Sequence, residues 1–484
     1  MAGRNTEVSR GVPAQLPSAQ QERAIVTSSG TAPTIVWLRR DLRLADQPAF
    51  AAAAESGAPV IPVYVLDDDV AKKYAMGGAS RWWLHHSLAS LDADLRKLGS
   101  RLILRRGKVH EELAKIRRDT GARTVHAVRH YEPWWRNAEK AVAKVLSLEC
   151  HDGNYLAPPG SVTTGSGGMY KIYTPFWRAL SERMPPHDPL AKPHKLEAPA
   201  HWPASDDLAD WDLLPSKPDW AGGMREEWTP GEAGARKRLR AFVEKARKYE
   251  ESRNLPSIEG TSRLSPHLHF GEISPATVWH AVADAGGSVR TFLGELGWRD
   301  YAQNVILQYP EYGSRNARDA FDAIKWRHAT TELKAWQRGQ TGYPIVDAGM
   351  RELWHTGWMH NRVRMIAASF LVKHLLIDWR EGERWFWDTL VDADYGSNAV
   401  NWQWIAGTGI DSNMFVRIMA PLTQSPKFDA AGYIRQWVPE LKHLSDEDIH
   451  DPKRAPKGYP EKIIGHAEAR ARALAAHAAM KEEA

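Results

Sequence analysis

The stretch Gly357–Trp404 reads GWMHNRVRMIAASFLVKHLLIDWREGERWFWDTLVDADYGSNAVNWQW. It carries six tryptophans, an Arg362/Arg364 pair beside Asn361, and Asp392-x-Asp394. Leu, Ile and Val fill a core at lower cost than Trp, whose N–H needs a partner when buried. The mixture therefore reads as half of a site for a large aromatic ligand. In a helix over residues 360–378, Val363, Ile366, Ala367, Phe370 and Leu371 form the core stripe. Asn361, Arg364 and Met365 share another face, one turn apart. Arg364 with Asp392 is a candidate ion pair. An EF-hand needs a Glu at loop position twelve, which is lacking, and His355, His360 and His374 do not make HExxH, so no metal is expected.

The whole chain has 484 residues, enough for two or three domains. It is 43% hydrophobic and 25% charged, as in ordinary globular proteins, but 22 Trp against 14 Tyr and 10 Phe is unusual. The net charge of +5 and pI near 9.0 permit a polyanionic partner. One cysteine, Cys150, excludes a disulfide framework and fits a cytoplasmic protein. Residues 1–32 lack an apolar h-region and read as a disordered extension. No apolar run is long enough to span a bilayer.

From Thr34 onward, strand-like runs at 34–40, 60–66, 102–104, 124–128 and 149–156 alternate with helical patterns at 48–55, 80–98, 109–118 and 134–148. Ser80 reads as an N-cap and Gly99 as a helix stop. This is a Rossmann-like α/β domain over 33–157, which binds ligands at the carboxyl ends of its strands. Neither GxGxxG nor GxxxxGK[ST] is present, and a ligand-free domain stands level with a binding one. Residues 158–224 form a long connector with one ordered patch at 170–180. Residues 225–478 read as an all-helical domain. Expected helices there cover 289–308, 330–337, 344–356, 360–378 and 383–390, and another opens at Ser274-Pro275.

Two further clusters stand out. In EGTSRLSP (259–266) the hydroxyls of Thr261, Ser262 and Ser265 precede a helix start, an arrangement that suits a phosphate, although a plain capped helix explains it better on this motif alone. In GELGWRDY (294–301), Glu295, Trp298 and Arg299 share one helical face; a surface Glu295–Arg299 salt bridge is the bland alternative. Tyr249 and Arg253 lie four apart on a basic helix (RKRLRAFVEKARKYEESR) whose charge is most simply a solvated face.

Together GTSRLSPHLHFGEIS, ELGWRDY, the stretch from GYPIVDAGMRELW through Trp404, RIMAPLTQSPKFD and the N-terminal WLRRDLRLADQPA resemble the photolyase/cryptochrome family, nearest to bacterial class I cyclobutane pyrimidine dimer photolyases. The resemblance covers about 34–475. It implies an antenna domain and a helical domain holding FAD. It further implies a carbon–carbon lyase that uses blue light to repair UV-damaged DNA, acting as a cytoplasmic monomer.

Carried over by position, the resemblance assigns Tyr249, Thr261, Ser262, Arg263, Leu264 and Ser265 to the FAD phosphates and ribityl chain. Glu295 and Arg299 line the pocket, and Asn361, Arg364, Asp392, Asp394 and Asn398 surround the flavin ring. Trp402, Trp379 and Trp326 match an electron-transfer triad. Trp298, Trp404, Glu295, Asn361 and Met365 match dimer-contacting positions. Arg253, Arg299, Arg362, Gln424 and Lys427 match DNA-binding ones. One departure concerns the second chromophore: YEPWW places Trp134-Trp135 where folate-antenna members carry Asn-Glu, leaving a deazaflavin or folate-type antenna open. The alternative function is a cryptochrome-type photoreceptor without repair; the dimer-contacting set and the short C-terminus weigh against it. A cofactor-free helical DNA-binding module is a third reading.

Overall fold

The computed structural model describes residues 31–483 except Ser288 and Asn413. Nearly all of the expected disordered extension, 1–32, lies outside the described residues.

Five parallel strands form one sheet in the order β3-β2-β1-β4-β5: β1 Thr34–Leu38, β2 Val60–Leu66, β3 Ile103–Arg106, β4 Thr124–Val128 and β5 Ser147–His151. Every residue of β1 and β2 is buried, as expected of central strands covered on both faces. Helices α1 Pro48–Glu55 and α2 Gly78–Lys97 pack on one face through Phe50, Trp82 and Leu88. On the other face α3 Val109–Thr120 and α4 Pro133–Val142 pack through Leu113, Ile116 and Val142.

The connector carries α5 Tyr173–Ser181 and α6 Gly222–Glu227. The helical domain then contains α7 Glu232–Val243, α8 Tyr249–Ser252, α9 Ser265–His269, α10 Pro275–Asp284, α11 Arg290–Gln308, α12 Thr330–Gln337, α13 Pro344–Thr356, α14 Asn361–Ser369, α15 Trp379–Thr389, α16 Tyr395–Ala406, α17 Pro421–Lys427, α18 Ala431–Trp437 and α19 His466–Glu483. Its core is one hydrophobic cluster that takes in Trp134, Leu156 and Val162 from the preceding segments and reaches to Met480.

Several expected boundaries move. Ser80 lies inside α2, whose N-cap is Gly77, and its hydroxyl donates instead to the Leu390 carbonyl at 3.3 Å. Gly99 does stop that helix, at φ +77°. The helix α4 ends at Val142, and β5 begins at Ser147 because its register with β4 starts at Ser147↔Thr124, on polar residues that an apolar-run search passes over. The basic helix breaks after Val243 into a short 3₁₀ turn and α8. The expected helix over 360–378 is interrupted by a π turn at Phe370–His374. Its buried Lys373 donates to the Arg417 carbonyl at 2.9 Å, and burial lowers that ammonium to about 7.

The two domains are locked together by buried polar groups. Arg43 donates to Asn154 Oδ1 at 2.8 Å and across the interface to the Gly271 carbonyl at 3.0 Å. Asp300 Oδ1 on α11 accepts from the Leu156 and Ala157 N–H groups at 2.7 and 3.2 Å. Gly77 sits where a β-carbon would lie 2.4 Å from Asp388 Cα and 2.5 Å from the Trp387 carbonyl oxygen. Both obstacles are backbone and cannot swing aside. Gly77→Ala is therefore expected to lower stability by about 1–3 kcal/mol, read from denaturant midpoints; an unchanged midpoint would show that this contact is loose.

Candidate functional site

Helix α14 turns Val363, Ile366 and Ala367 fully inward, so Arg364 and Met365 are half-buried and Asn361 is exposed on its outer face. The expected face division is thus present. Arg364 meets Asp392 in a two-point bond, Nη1–Oδ1 3.1 Å and Nη2–Oδ2 2.9 Å, and its Nε donates to the Met359 carbonyl at 2.7 Å. Paired planar groups of this kind fix orientation as well as charge.

The hydroxyl loop docks onto this pair. Ser265 Oγ donates to Asp392 Oδ2 at 2.6 Å and accepts from Trp358 Nε1 at 3.3 Å. Ser262 Oγ accepts from the Leu264 N–H at 3.3 Å, while the Leu264 side chain is buried and Thr261 is half-buried. Arg263 adopts φ +50°, a left-handed backbone uncommon outside glycine. Its guanidinium is committed to Glu227 at 2.7 Å and faces Glu352 at 3.8 Å over the Trp358 ring. Its main chain is what remains for a ligand. The following helix, α9, has only five residues, so the loop's hydroxyls, rather than the helix start expected from sequence, are what a phosphate can use.

Around the start of α16 the acidic and amide groups separate in role. Asp394 caps the helix, its Oδ1 accepting from the Ser397 N–H at 2.7 Å and from Gln303 Nε2 at 3.2 Å. Asn398 donates through Nδ2 to Glu383 Oε1 at 2.9 Å and to the Glu383 carbonyl at 3.1 Å, which leaves its amide oxygen outside that bond. Burial pushes the Glu383 carboxyl up to about 7, opposed by its bond with Asn398. Glu383 escaped sequence reading because its partner lies in a different helix.

A second cluster adjoins α11. Glu295 Oε1 pairs with Arg253 Nη1 at 2.5 Å, not with Arg299, and burial raises its carboxyl against that pairing. Arg253 also lies over the ring of the buried Tyr249. Arg299 turns the other way, donating to the Asn154 and Leu268 carbonyls and lying 4.6 Å from the Tyr155 ring centre. The shared helical face expected of Glu295, Trp298 and Arg299 is therefore split among three partners. Trp298 stacks on Tyr173 of α5 at 3.6 Å and 11°, so one of its faces is already covered. Arg362 donates to Asn254 Oδ1 at 2.7 Å and to Met365 Sδ at 3.5 Å, and it lies over Phe428. Lys427 approaches that same Phe428 ring at 5.5 Å and is exposed, with Gln424 half-buried on the same short helix. Asn254, Tyr173 and Phe428 were not foreseen.

Of the three singled-out tryptophans, Trp402 and Trp379 are buried and Trp326 is half-buried. Trp402 packs edge-on against Phe386 and Trp336 at 5.0 and 6.3 Å. Trp379 donates to Asn316 Oδ1 at 2.9 Å, and the Arg380 guanidinium lies 4.7 Å from its ring centre. Trp404 is half-buried one helical step beyond. In the N-terminal domain Trp134 stacks on Tyr74 at 5.8 Å, and a small cleft at the carboxyl ends of β1 and β2 is bounded by Arg39, Tyr64, Asp67, Tyr74 and Trp134.

The burial of Glu383 yields a pH prediction. A carboxyl raised from its ordinary 4.5 to about 7 leaves the folded protein holding a proton that the unfolded chain has released. Its contribution to stability is complete below 4.5 and is lost as pH rises towards 7. Relative to Glu383→Gln, which stays neutral, the natural protein should lose on the order of 3 kcal/mol across that window. Parallel unfolding curves of the two at every pH would contradict the assignment.

Residues 34–199 match the family pattern described as DNA photolyase, and residues 292–479 match the FAD binding domain of DNA photolyase. A deoxyribodipyrimidine photo-lyase of Agrobacterium fabrum is 49% identical over 93% of this chain and 99% of its own length. Cryptochrome-1 of Arabidopsis thaliana is 37% identical over 91% of this chain but 69% of its own length. A crystal structure described as a bacterial class III photolyase from Agrobacterium tumefaciens superposes with a TM-score of 0.90 at 49% identity, covering 95% of this chain and all of that one. Its description is class III, where the motifs had pointed to class I. By sequence and fold, the chain belongs to the DNA photolyase/cryptochrome family.

Proposed function

We propose that this protein splits cyclobutane pyrimidine dimers in UV-damaged DNA under blue light, with reduced FAD as its catalytic cofactor. The observation that carries the reading is the Ser265–Asp392–Arg364 chain of bonds, which joins the hydroxyl loop to the outer face of α14. The donor set fits a flavin dinucleotide. Thr261, Ser262, Ser265 and the main chain at Arg263 and Leu264 hold its phosphates and ribityl chain, beside Tyr249. Asn361, Arg364, Asp392 and Asn398 address its ring, and Asp394 keeps α16 in register. When bound and excited, FAD supplies the electron that opens the dimer ring and takes it back.

The chain's own part is positioning. Trp298 and Trp404 offer aromatic faces to an extruded dimer, whose damaged bases cost less to unstack than intact ones. Glu295, held by Arg253, and Asn361 with Met365 address the base edges, and Arg299 braces α11 against the N-terminal domain. Arg253, Arg362, Gln424 and Lys427 take the DNA backbone. Trp402, Trp379 and Trp326 divide a long electron transfer to the interior into short hops. A second chromophore, deazaflavin or folate in type, would have its place in the cleft beside Tyr74 and Trp134. The domains divide at 33–157, 158–224 and 225–478, and the protein acts as a cytoplasmic monomer; among the described residues no helix is long and apolar enough to cross a membrane.

Cryptochrome-type signalling is the second reading, favoured by the 37% identity to Cryptochrome-1. The two separate in one assay. The photoreduced protein should clear dimers from UV-irradiated DNA under blue light and leave them in darkness; dimers that persist in both arms would sink the repair reading and favour signalling. Trp379→Phe should lose most photoreduction yet still repair when reduced chemically. Replacing Arg362 or Lys427 by Ala should each lower the salt slope of DNA binding by about one; slopes equal to the natural protein's would remove those residues from the DNA contact.

A further inference from the structure

Strand β4 and its edge neighbour β5 carry a group of side chains that neither the flavin nor the DNA reading uses. In their parallel register His126 lies opposite Glu149 and Val128 lies opposite His151. Side chains alternate along a strand, so His126, Glu149 and His151 project from one face of the sheet. His126 Nδ1 is 3.1 Å from His151 Nε2 and 3.5 Å from Glu149 Oε2. One ligand atom from each residue falls within 4.8 Å of the other two. His126 is buried, His151 is half-buried and Glu149 is exposed, which leaves an open path to the group from solvent.

Two features separate this group from a hydrogen-bonded histidine pair with a carboxylate nearby. The first is valence. One imidazole N–H points at one acceptor, yet His126 Nδ1 is approached by both a ring nitrogen and a carboxylate oxygen. A cation among the three satisfies all of them together. The second is spacing. Nitrogen and oxygen ligands about 2.0–2.2 Å from a tetrahedral ion lie roughly 3.3–3.6 Å apart; the measured 3.5 Å falls inside that range and 3.1 Å just below it.

We propose that His126, Glu149 and His151 bind one divalent transition-metal ion of the zinc class, with water completing the coordination. Two imidazoles and one carboxylate suit zinc, cobalt or nickel and disfavour magnesium and calcium, which take oxygen ligands. The ligands come from neighbouring strands, and β5 is one of the sheet's two edge strands, paired among the described residues with β4 alone. The ion therefore clips that edge to β4.

The test uses the full FAD-loaded chain, stripped with chelator and then titrated with Zn²⁺ against a chromophoric competitor. One Zn²⁺ per chain is expected at micromolar concentration. Binding should weaken by about tenfold or more in His151→Ala and in Glu149→Gln. Both substitutions lie at accessible positions, so an unchanged flavin absorption spectrum verifies that each variant is folded. Absence of saturable Zn²⁺ binding overturns the proposal. So does binding of natural strength in both variants, which would place the ion elsewhere among the chain's 20 histidines.

Discussion

The two-point bond between Arg364 and Asp392 is the constraint on which the site depends. It joins residues 28 positions apart and draws in a third segment through Ser265, which lies 127 positions from Asp392. None of these segments would hold its place alone. The Ser265 loop is followed by a helix too short to be stable in isolation. The outer face of α14 is polar and half-buried. Asp392 lies in a turn before its helix begins. A charge as enclosed as that of Asp392 costs free energy unless it is paired and hydrogen-bonded, and here it is both. The same bonds that satisfy it set the loop, the helix face and the turn around one space.

That arrangement rests on the interface between the domains. Arg299 leaves the helical face it shares in sequence with Glu295 and reaches the Asn154 carbonyl instead. Asp300 beside it accepts from the Leu156 and Ala157 N–H groups and is pushed up to about 7 by burial. Helix α11 therefore presents Glu295 and Trp298 to one side while it is anchored to the sheet domain by the adjacent residues. A helix pinned on both sides can hold Glu295 against Arg253 and Trp298 against Tyr173 without spending side-chain order at the moment of binding.

Much of this was legible in sequence, and the limits have physical causes. The alternation of strands and helices up to residue 142 and the exact spans 330–337 and 344–356 follow from local periodicity. So do the face division of α14 and the Arg364–Asp392 pairing, which charge and spacing made plausible. The π turn at Phe370–His374 was not visible, because a one-residue expansion leaves the apolar pattern on either side intact. The polar edge strand β5 was misplaced because strand pairing, not hydrophobicity, defines its start. Glu383, Tyr173, Asn254 and Asn316 were missed because each acts through a partner in a distant segment. The roles of Asn398 and the tryptophans came from family resemblance; composition only flagged the stretch.

The most direct measurement of the central claim is the flavin content of Asp392→Asn beside that of the natural protein, both purified in darkness and checked for equal helical circular dichroism. If the Arg364–Asp392 pair organises the cofactor site, the variant should retain helical structure but release most of its FAD, with affinity reduced by at least about tenfold, as expected when one member of an enclosed ion pair is neutralised. A folded Asp392→Asn protein that keeps stoichiometric FAD at natural affinity would contradict the account, because the pair would then be a bystander to the site.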